Sequence, residues 1–292
     1  MKTSLILAGV VLSWFSAQAD ITTNEWLHLT NQFLRIGVKT TSGAGLAWIS
    51  DATGKTNWLN HFDKGRLIQQ SYYGDKDGST WNGQEWRWNP VQGGEWRGTP
   101  SQLLETKASP TELYARLHPR NWGGGELLTN VVMEEKIELD GQVARVHFKM
   151  TYSGTNTHEL RHQEVPAVFV EPDLATLVHF DGEHPWTGAP VTRSSPGWPN
   201  ESRRITEHWA AYVNTNDFGL GVMVPVADEL TCYRYAAGHT SAEGACSYFA
   251  PLVKFAITPG FVFEYDVFLT LGSSAEIRER FKTIANPANK KN

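Results

Sequence analysis

A chain of 292 residues with 40% apolar and 20% charged side chains has enough apolar material for a core and is not a disordered polymer. Its 26 basic residues against 31 acidic ones give a formal net charge of −5, which excludes the polybasic surface of a nucleic-acid binder. Twelve tryptophans, 26 glycines and 12% aromatics also set it apart from a helical, Ala/Leu/Lys/Glu-rich composition.

The chain opens on a segment that reads as a leader. Lys2 supplies a positive start, Leu5 to Phe15 an apolar run, and Ala17-Gln18-Ala19 a small-x-small cleavage site, with cleavage expected before Asp20. The run is shorter than the ~20 residues a membrane-spanning helix needs. A secreted or periplasmic protein is expected, with no membrane association after cleavage. Residues 1–19 are thus a signal peptide, 20–285 a single domain and 286–292 a polar tail.

The rest reads as β-structure. Leu34, Ile36 and Val38 alternate with Arg35, Gly37 and Lys39, the period-two pattern of a strand with one buried face. Leu46 to Ser50 follows a Gly-rich turn. Ile137 and Leu139 lead into Asp140-Gly141, after which Ala144, Val146, Phe148 and Met150 alternate with polar residues, predicting a hairpin. Leu220, Val222 and Val224 repeat the pattern after a turn at Asn214–Asp217. A long alternating strand, Phe261 to Leu271, follows Pro259-Gly260. One helix is predicted, where Ser273 and Glu276 form a capping box ahead of Ile277, Phe281 and Ile284. With no internal repeat or linker, the economical architecture is one large antiparallel β-sandwich with a short C-terminal helix.

Two stretches break the alternation. Tyr72 to Pro100 carries Trp81, Trp86, Trp88 and Trp96 among Gly, Asn, Asp and Gln, and Pro185 to Asn200 carries Trp186 and Trp198 between prolines. Long loops of this kind are usually functional or disordered, and the tryptophans argue against disorder because a large aromatic tolerates exposure poorly unless it has something to cover. In an exported protein, aromatic faces and amides suit a sugar ring, which makes Trp86, Trp88 and Asn89 candidate substrate contacts. The alternative is that these tryptophans pin the loops onto the sandwich. Cys232 and Cys246 are the only cysteines, and export would place them where disulfides persist, so a disulfide staple across the intervening loop is expected.

The segments Asn31-Gln32-Phe33-Leu34-Arg35-Ile36-Gly37-Val38, Gly43-Ala44-Gly45-Leu46-Ala47-Trp48-Ile49 and Asn57-Trp58-Leu59 resemble the first strands of galactose-mutarotase-like supersandwich proteins. Ile257-Thr258-Pro259-Gly260 and the strand after it are similar to their last strands. The resemblance implies the supersandwich fold, shared by aldose epimerases and by the sandwich domains of polysaccharide lyases and glycoside hydrolases. Gly65 to Tyr73 and Trp88-Asn89-Pro90 match no epimerase motif. The Glu-x-Asp-x-x-Glu motif of laminarinase-like hydrolases and the Gln-Ile-His motif of jelly-roll alginate lyases are absent.

Three constellations could carry chemistry. Read as a strand, Arg66 to Tyr73 puts Arg66, Ile68, Gln70 and Tyr72 on one face, able to grip a carboxylate or hydroxyls, or else to form a solvated edge. Arg161-His162-Gln163-Glu164 places His162 beside Glu164, a general-base pair or a surface salt-bridge cluster. With His158-Glu159 it also spells His-Glu-x-x-His, a zinc-protease string that matters only on a helix and is read as chance. Glu207-His208-Trp209 pairs a carboxylate with a stacking platform, or starts a strand with one buried Trp. Glu264 and Asp266 form a further carboxylate pair.

A secreted enzyme cleaving glycosidic bonds of a polysaccharide or oligosaccharide is the favoured function. The family resemblance tips it toward β-elimination without metal or other cofactor. Arg66 and Gln70 would then neutralise a uronate and His162 or Tyr72 would remove the proton. A hydrolase would need two carboxylates, for instance Glu164 with Glu207. A sugar epimerase and a non-catalytic polysaccharide-binding module are the alternatives.

Overall fold

Two antiparallel sheets packed face to face account for the alternating pattern in the computed structural model, which describes residues 24–286. The segment read as a signal peptide and the tail beyond Asn286 lie outside the described residues.

The first sheet runs in the order Trp26–Thr30, Leu34–Lys39, Gly45–Asp51, Ile68–Ser71, His158–Val170, Cys246–Ile257, Glu229–Tyr235, Glu201–Arg204. The short strands Pro90–Val91 and Arg120–Asn121 branch from Ile68–Ser71. The second sheet runs Thr192–Ser194, Thr176–His179, Trp209–Val213, Phe218–Met223, Val262–Ser273, Val143–Tyr152, Val131–Asp140, Glu112–His118, Gln102–Ala108. Leu34, Ile36 and Val38 from one sheet, and Val146, Phe148, Val222, Val267 and Leu269 from the other, meet in one continuous core. The expected hairpin forms with Asp140 opposite Val143, so that Gly141, at φ +57°, and Gln142 make the turn.

The capping box is present. Ser273 Oγ accepts from the Glu276 N–H, and the Glu276 carboxylate accepts the Ser273 N–H at 2.8 Å, starting the helix Ser274–Ala285. Its buried Ile277 and Phe281 pack with Trp209, Val178 and Met223 on the outer face of the second sheet. Gly221 makes this approach possible, because a Cβ there would lie 2.3 Å from Ile277 Cγ2.

The expected disulfide does not form: Cys232 and Cys246 are both free and buried. The interval read as a loop is in part the strand Glu229–Tyr235, which pairs with Cys246–Ile257 so that Cys232 faces Phe249 and Tyr235 faces Cys246. This register offsets the two cysteines by three residues, an odd number, and therefore directs them to opposite faces of the sheet. Cys232 enters the core between the sheets and Cys246 does not. Burial pushes both thiols up to about 11. The His158 to His162 string likewise lies on a strand, where residues four apart are ~13 Å from each other and cannot converge on one ion.

Candidate functional site

The outer face of the first sheet carries a cavity of about 480 Å³. Its floor comes from four neighbouring strands, and its centre is Glu164. Tyr73 Oη donates to Glu164 Oε1 at 2.8 Å and Tyr248 Oη donates to the same oxygen at 2.5 Å. Oε2 is engaged by neither tyrosine. Tyr248 stacks on Tyr233 with ring centroids 4.4 Å apart and meets Phe169 at 4.7 Å, which completes an aromatic floor.

Local backbone features aim these side chains. The pairing of His158–Val170 with its neighbours shifts register between Glu164 and Ala167, around Val165-Pro166, where proline has no N–H to give to the ladder. The shift lets Glu164 and Phe169, an odd number of residues apart, share the outer face. Gln163 points inward and pairs with the Tyr73 backbone as a strand would. Its Oε1 accepts the Tyr73 N–H at 2.6 Å and its Nε2 donates to the Tyr73 carbonyl at 3.0 Å. This fixes Tyr73 against the strand that bears Glu164.

Burial raises the Glu164 carboxyl above its ordinary range, while hydrogen bonds from Tyr248, Tyr73 and Ser71 pull it back down. Burial, and then the adjacent carboxylate, hold the Tyr73 and Tyr248 phenols well above the usual range. The tyrosines therefore keep their protons across the neutral range and can donate to Glu164.

Two aromatic walls flank this centre. On one side the hairpin Thr80–Trp81 with Gln84–Glu85 carries Trp81, whose ring lies 5.2 Å from that of Trp86. Trp86 Nε1 donates to Asn89 Oδ1 at 3.2 Å, and Trp122 lines the cavity close by. Gly65 is required here, since a Cβ would stand 2.3 Å from the Trp122 ring. On the other side Trp198 stands edge-on to Tyr233 at 4.8 Å and to Tyr235 at 5.2 Å. Arg66 closes the rim. It donates to the Gly244 carbonyl at 2.5 Å, pairs with Asp63 at 3.6 Å and lies over the rings of Phe62 and Tyr235.

The sequence-predicted site residues are dispersed by this geometry. Glu164, Arg66, Trp86 and Asn89 come together at the cavity, although Asn89 is 2% exposed and acts mainly as a brace to Trp86 and the Tyr72 carbonyl. Tyr72 and Gln70 do not reach it. Both are fully buried between the sheets, with the Tyr72 hydroxyl donating to Gln70 Oε1 at 3.0 Å. The strand begins only at Ile68, after Leu67 at φ +152°, so Arg66 leaves the alternation and Tyr73, not Tyr72, faces outward. His162 shares the outer face with Glu164 but sits outside the cavity lining, its Nε2 2.6 Å from Glu229 Oε1. Trp88 is core, stacked on His158 at 4.1 Å.

Glu207 and Trp209, expected as substrate contacts, lie away from this cavity, on the outer side of the other sheet beneath the helix. Glu207 is fully buried. It accepts from Arg278 Nη2 at 2.6 Å and Nε at 2.9 Å, from the Trp186 N–H at 2.6 Å and from Trp209 Nε1 at 2.9 Å. It ties the helix and the 185–190 loop to the sheet. Glu264 and Asp266 lie in a solvated ladder with Arg145 and His147. Among the described residues no cluster of three or more His, Cys, Asp or Glu could hold a metal ion.

Tyr73, Tyr248, Tyr233 and Trp122 are site residues that sequence reasoning missed. Tyr233 and Tyr235 left a signal in their period-two spacing. Tyr248 left none, because Cys246 to Pro251 is buried on both faces and shows no alternation.

No protein-family model matches the sequence, and no curated protein matches it significantly. Solved structures do match in fold. A galactose mutarotase-like protein from Lactobacillus casei superposes with a TM-score of 0.57 at 11% identity, covering 85% of this chain and 100% of the other. A galactose mutarotase related enzyme from Lactobacillus acidophilus gives 0.56 at 9% identity, covering 85% and 98%. The 4-alpha-glucanotransferase of Thermococcus litoralis gives 0.50 at 11% identity, over 86% of this chain and 38% of that one. At these identities the likeness is one of architecture: the chain has the β-sandwich fold of the galactose mutarotase-like proteins.

Proposed function

We propose that the protein is an exported carbohydrate-active enzyme that cleaves a uronate-containing polysaccharide or oligosaccharide by β-elimination. The observation that carries this reading is Glu164, a cavity-facing carboxylate bound through one oxygen to two tyrosine hydroxyls on an aromatic floor. In this reading Glu164 Oε2 takes the proton from C5 of the uronate. The C5–H electrons form the C4=C5 double bond as the C4–O bond breaks, and the leaving oxygen takes a proton from Tyr73 or Tyr248. That tyrosine recovers a proton from Glu164, which restores the site. The pKa directions support these roles, because a raised carboxyl is a stronger base and a raised phenol keeps its proton. Arg66 at the rim is the group suited to the substrate's carboxylate.

Hydrolysis is less well supported. The second carboxylate lining the cavity, Asp63, already accepts the Gly65 and Arg66 N–H groups and pairs with the Arg66 side chain. A second reading, interconversion of the anomers of a free sugar, uses the same proton exchange and draws support from the mutarotase names of the fold neighbours. One experiment separates the readings. Purified protein is incubated with a panel of polyuronides and neutral glycans while 235 nm absorbance and reducing ends are followed together. Elimination raises both, hydrolysis raises reducing ends alone, and anomer interconversion raises neither but speeds the optical rotation change of a free sugar.

A further inference from the structure

We infer that the cavity takes an internal segment of a linear glycan, with sugar rings bound on both sides of Glu164, so that cleavage falls within the chain. This rests on the carbohydrate reading above and adds the form of the substrate.

The two walls are built alike. Each consists of an exposed tryptophan braced by another aromatic, with an asparagine beside it: Trp81 on Trp86 with Asn82, and Trp198 on Tyr235 with Asn200. Trp81 is 36% exposed and Trp198 57% exposed, so neither is core. Both rings are nonetheless held in place, which removes the ordering cost of stacking on a ligand. The Trp81 hairpin pairs with neither large sheet, its residues are exposed, and Trp81 and Asn82 line the cavity.

The strand leading to Tyr73 and the strand bearing Tyr235 are separated by the two strands that carry Glu164 and Tyr248. Three strand spacings separate the strands beneath the two walls by ~14 Å. One pyranose ring cannot touch both. A chain that does must pass over Glu164, which places the reacting bond between the walls and leaves further sugars on either side.

The test separates binding from turnover. In a Glu164→Gln background, calorimetry measures oligogalacturonates, oligomannuronates and cello-oligosaccharides of one to six residues. At least one series is expected to tighten with length up to three or four rings and then level off. Trp81→Ala and Trp198→Ala are each expected to weaken hexamer binding about tenfold, the scale of one aromatic contact, and to bring the plateau to shorter chains. The active protein is expected to release internal fragments of a hexamer before any monomer. The inference is overturned if no series binds more tightly at four rings than at one, or if both tryptophan variants bind the hexamer like the parent. Release of single terminal sugars also overturns it while leaving elimination intact. Length-dependent binding without any 235 nm signal in the active protein upholds the inference and removes the elimination chemistry.

Discussion

Replacing Arg278 by Met separates the knot beneath the helix from the cavity on the opposite face. Arg278 meets both oxygens of the fully buried Glu207 at 2.6 and 2.9 Å and donates to the Ala189 carbonyl at 2.6 Å. Without it Glu207 keeps the Trp186 and Trp209 N–H donors but loses its counter-charge. Breaking a buried pair from one side costs about 3–5 kcal/mol, because the remaining charge has left water uncompensated. At ~2–4 °C per kcal/mol for a chain of this size, the midpoint falls by roughly 10 °C. Urea titration followed by fluorescence and circular dichroism gives the free energy by linear extrapolation. The folded variant should keep full glycan cleavage at 20 °C below its own midpoint. Two results refute the reasoning. One is stability within about 1 kcal/mol of the parent, which denies the buried pair. The other is lost cleavage in a fully folded variant, which returns Glu207 to the active site.

Other expectations follow from the same geometry. Tyr72→Phe should leave turnover unchanged and cost about 1 kcal/mol for the buried bond to Gln70, whereas Tyr73→Phe should lower kcat by about a hundredfold. The Tyr73 hydrogen bond lowers the Glu164 pKa, so its removal raises that pKa and moves the acidic limb of the kcat profile to higher pH. An unmoved limb would contradict the assignment of Glu164 as base. Glu135, fully buried with its carboxyl accepting from Gln92 Nε2, is pushed up to about 8 by burial. Its folded pKa exceeds the unfolded value, so its contribution to stability is fully present below about 4.5 and is lost as pH rises toward 8. Urea melts at pH 5 and pH 8 should show Glu135→Gln gaining a few kcal/mol, relative to the parent, at the higher pH. Dithiothreitol should leave the melting midpoint unchanged, and alkylation in denaturant should label both Cys232 and Cys246 without prior reduction.

Much of the fold was legible because a half-buried strand repeats every two residues: Leu34 to Val38, Ala144 to Met150 and the closing strand to Leu271 declare themselves in this way. The Ser273–Glu276 box marked the helix for an equally local reason. What failed was the assignment of faces. A period-two pattern says which residues share a side and not what lies beyond it. Trp209 therefore read as a platform, while the helix that covers it comes some 65 residues later. At Arg66 to Tyr73, a single residue at φ +152° outside the strand inverted the reading and hid Tyr73 behind Tyr72. The cysteine pairing failed on register, which depends on where the Glu229–Tyr235 strand ends and has no signature in the intervening residues. Glu164 was found because it stands beside His162 in the polar run that enters the apolar Ala167–Val170 segment. Its partners Tyr73 and Tyr248 come from flanking strands that only the folded sheet brings alongside it.

The central claim, proton exchange at Glu164, is tested most directly by Glu164→Gln assayed at 235 nm beside the parent on whichever polyuronide the panel selects. Gln is nearly isosteric and still accepts from Tyr73 and Tyr248, so the fold and glycan affinity should persist. The rate should fall by about 10²–10⁴, the usual contribution of a positioned acid–base group. A variant that binds and eliminates at the parental rate would contradict the account and move the chemistry to another residue of the cavity.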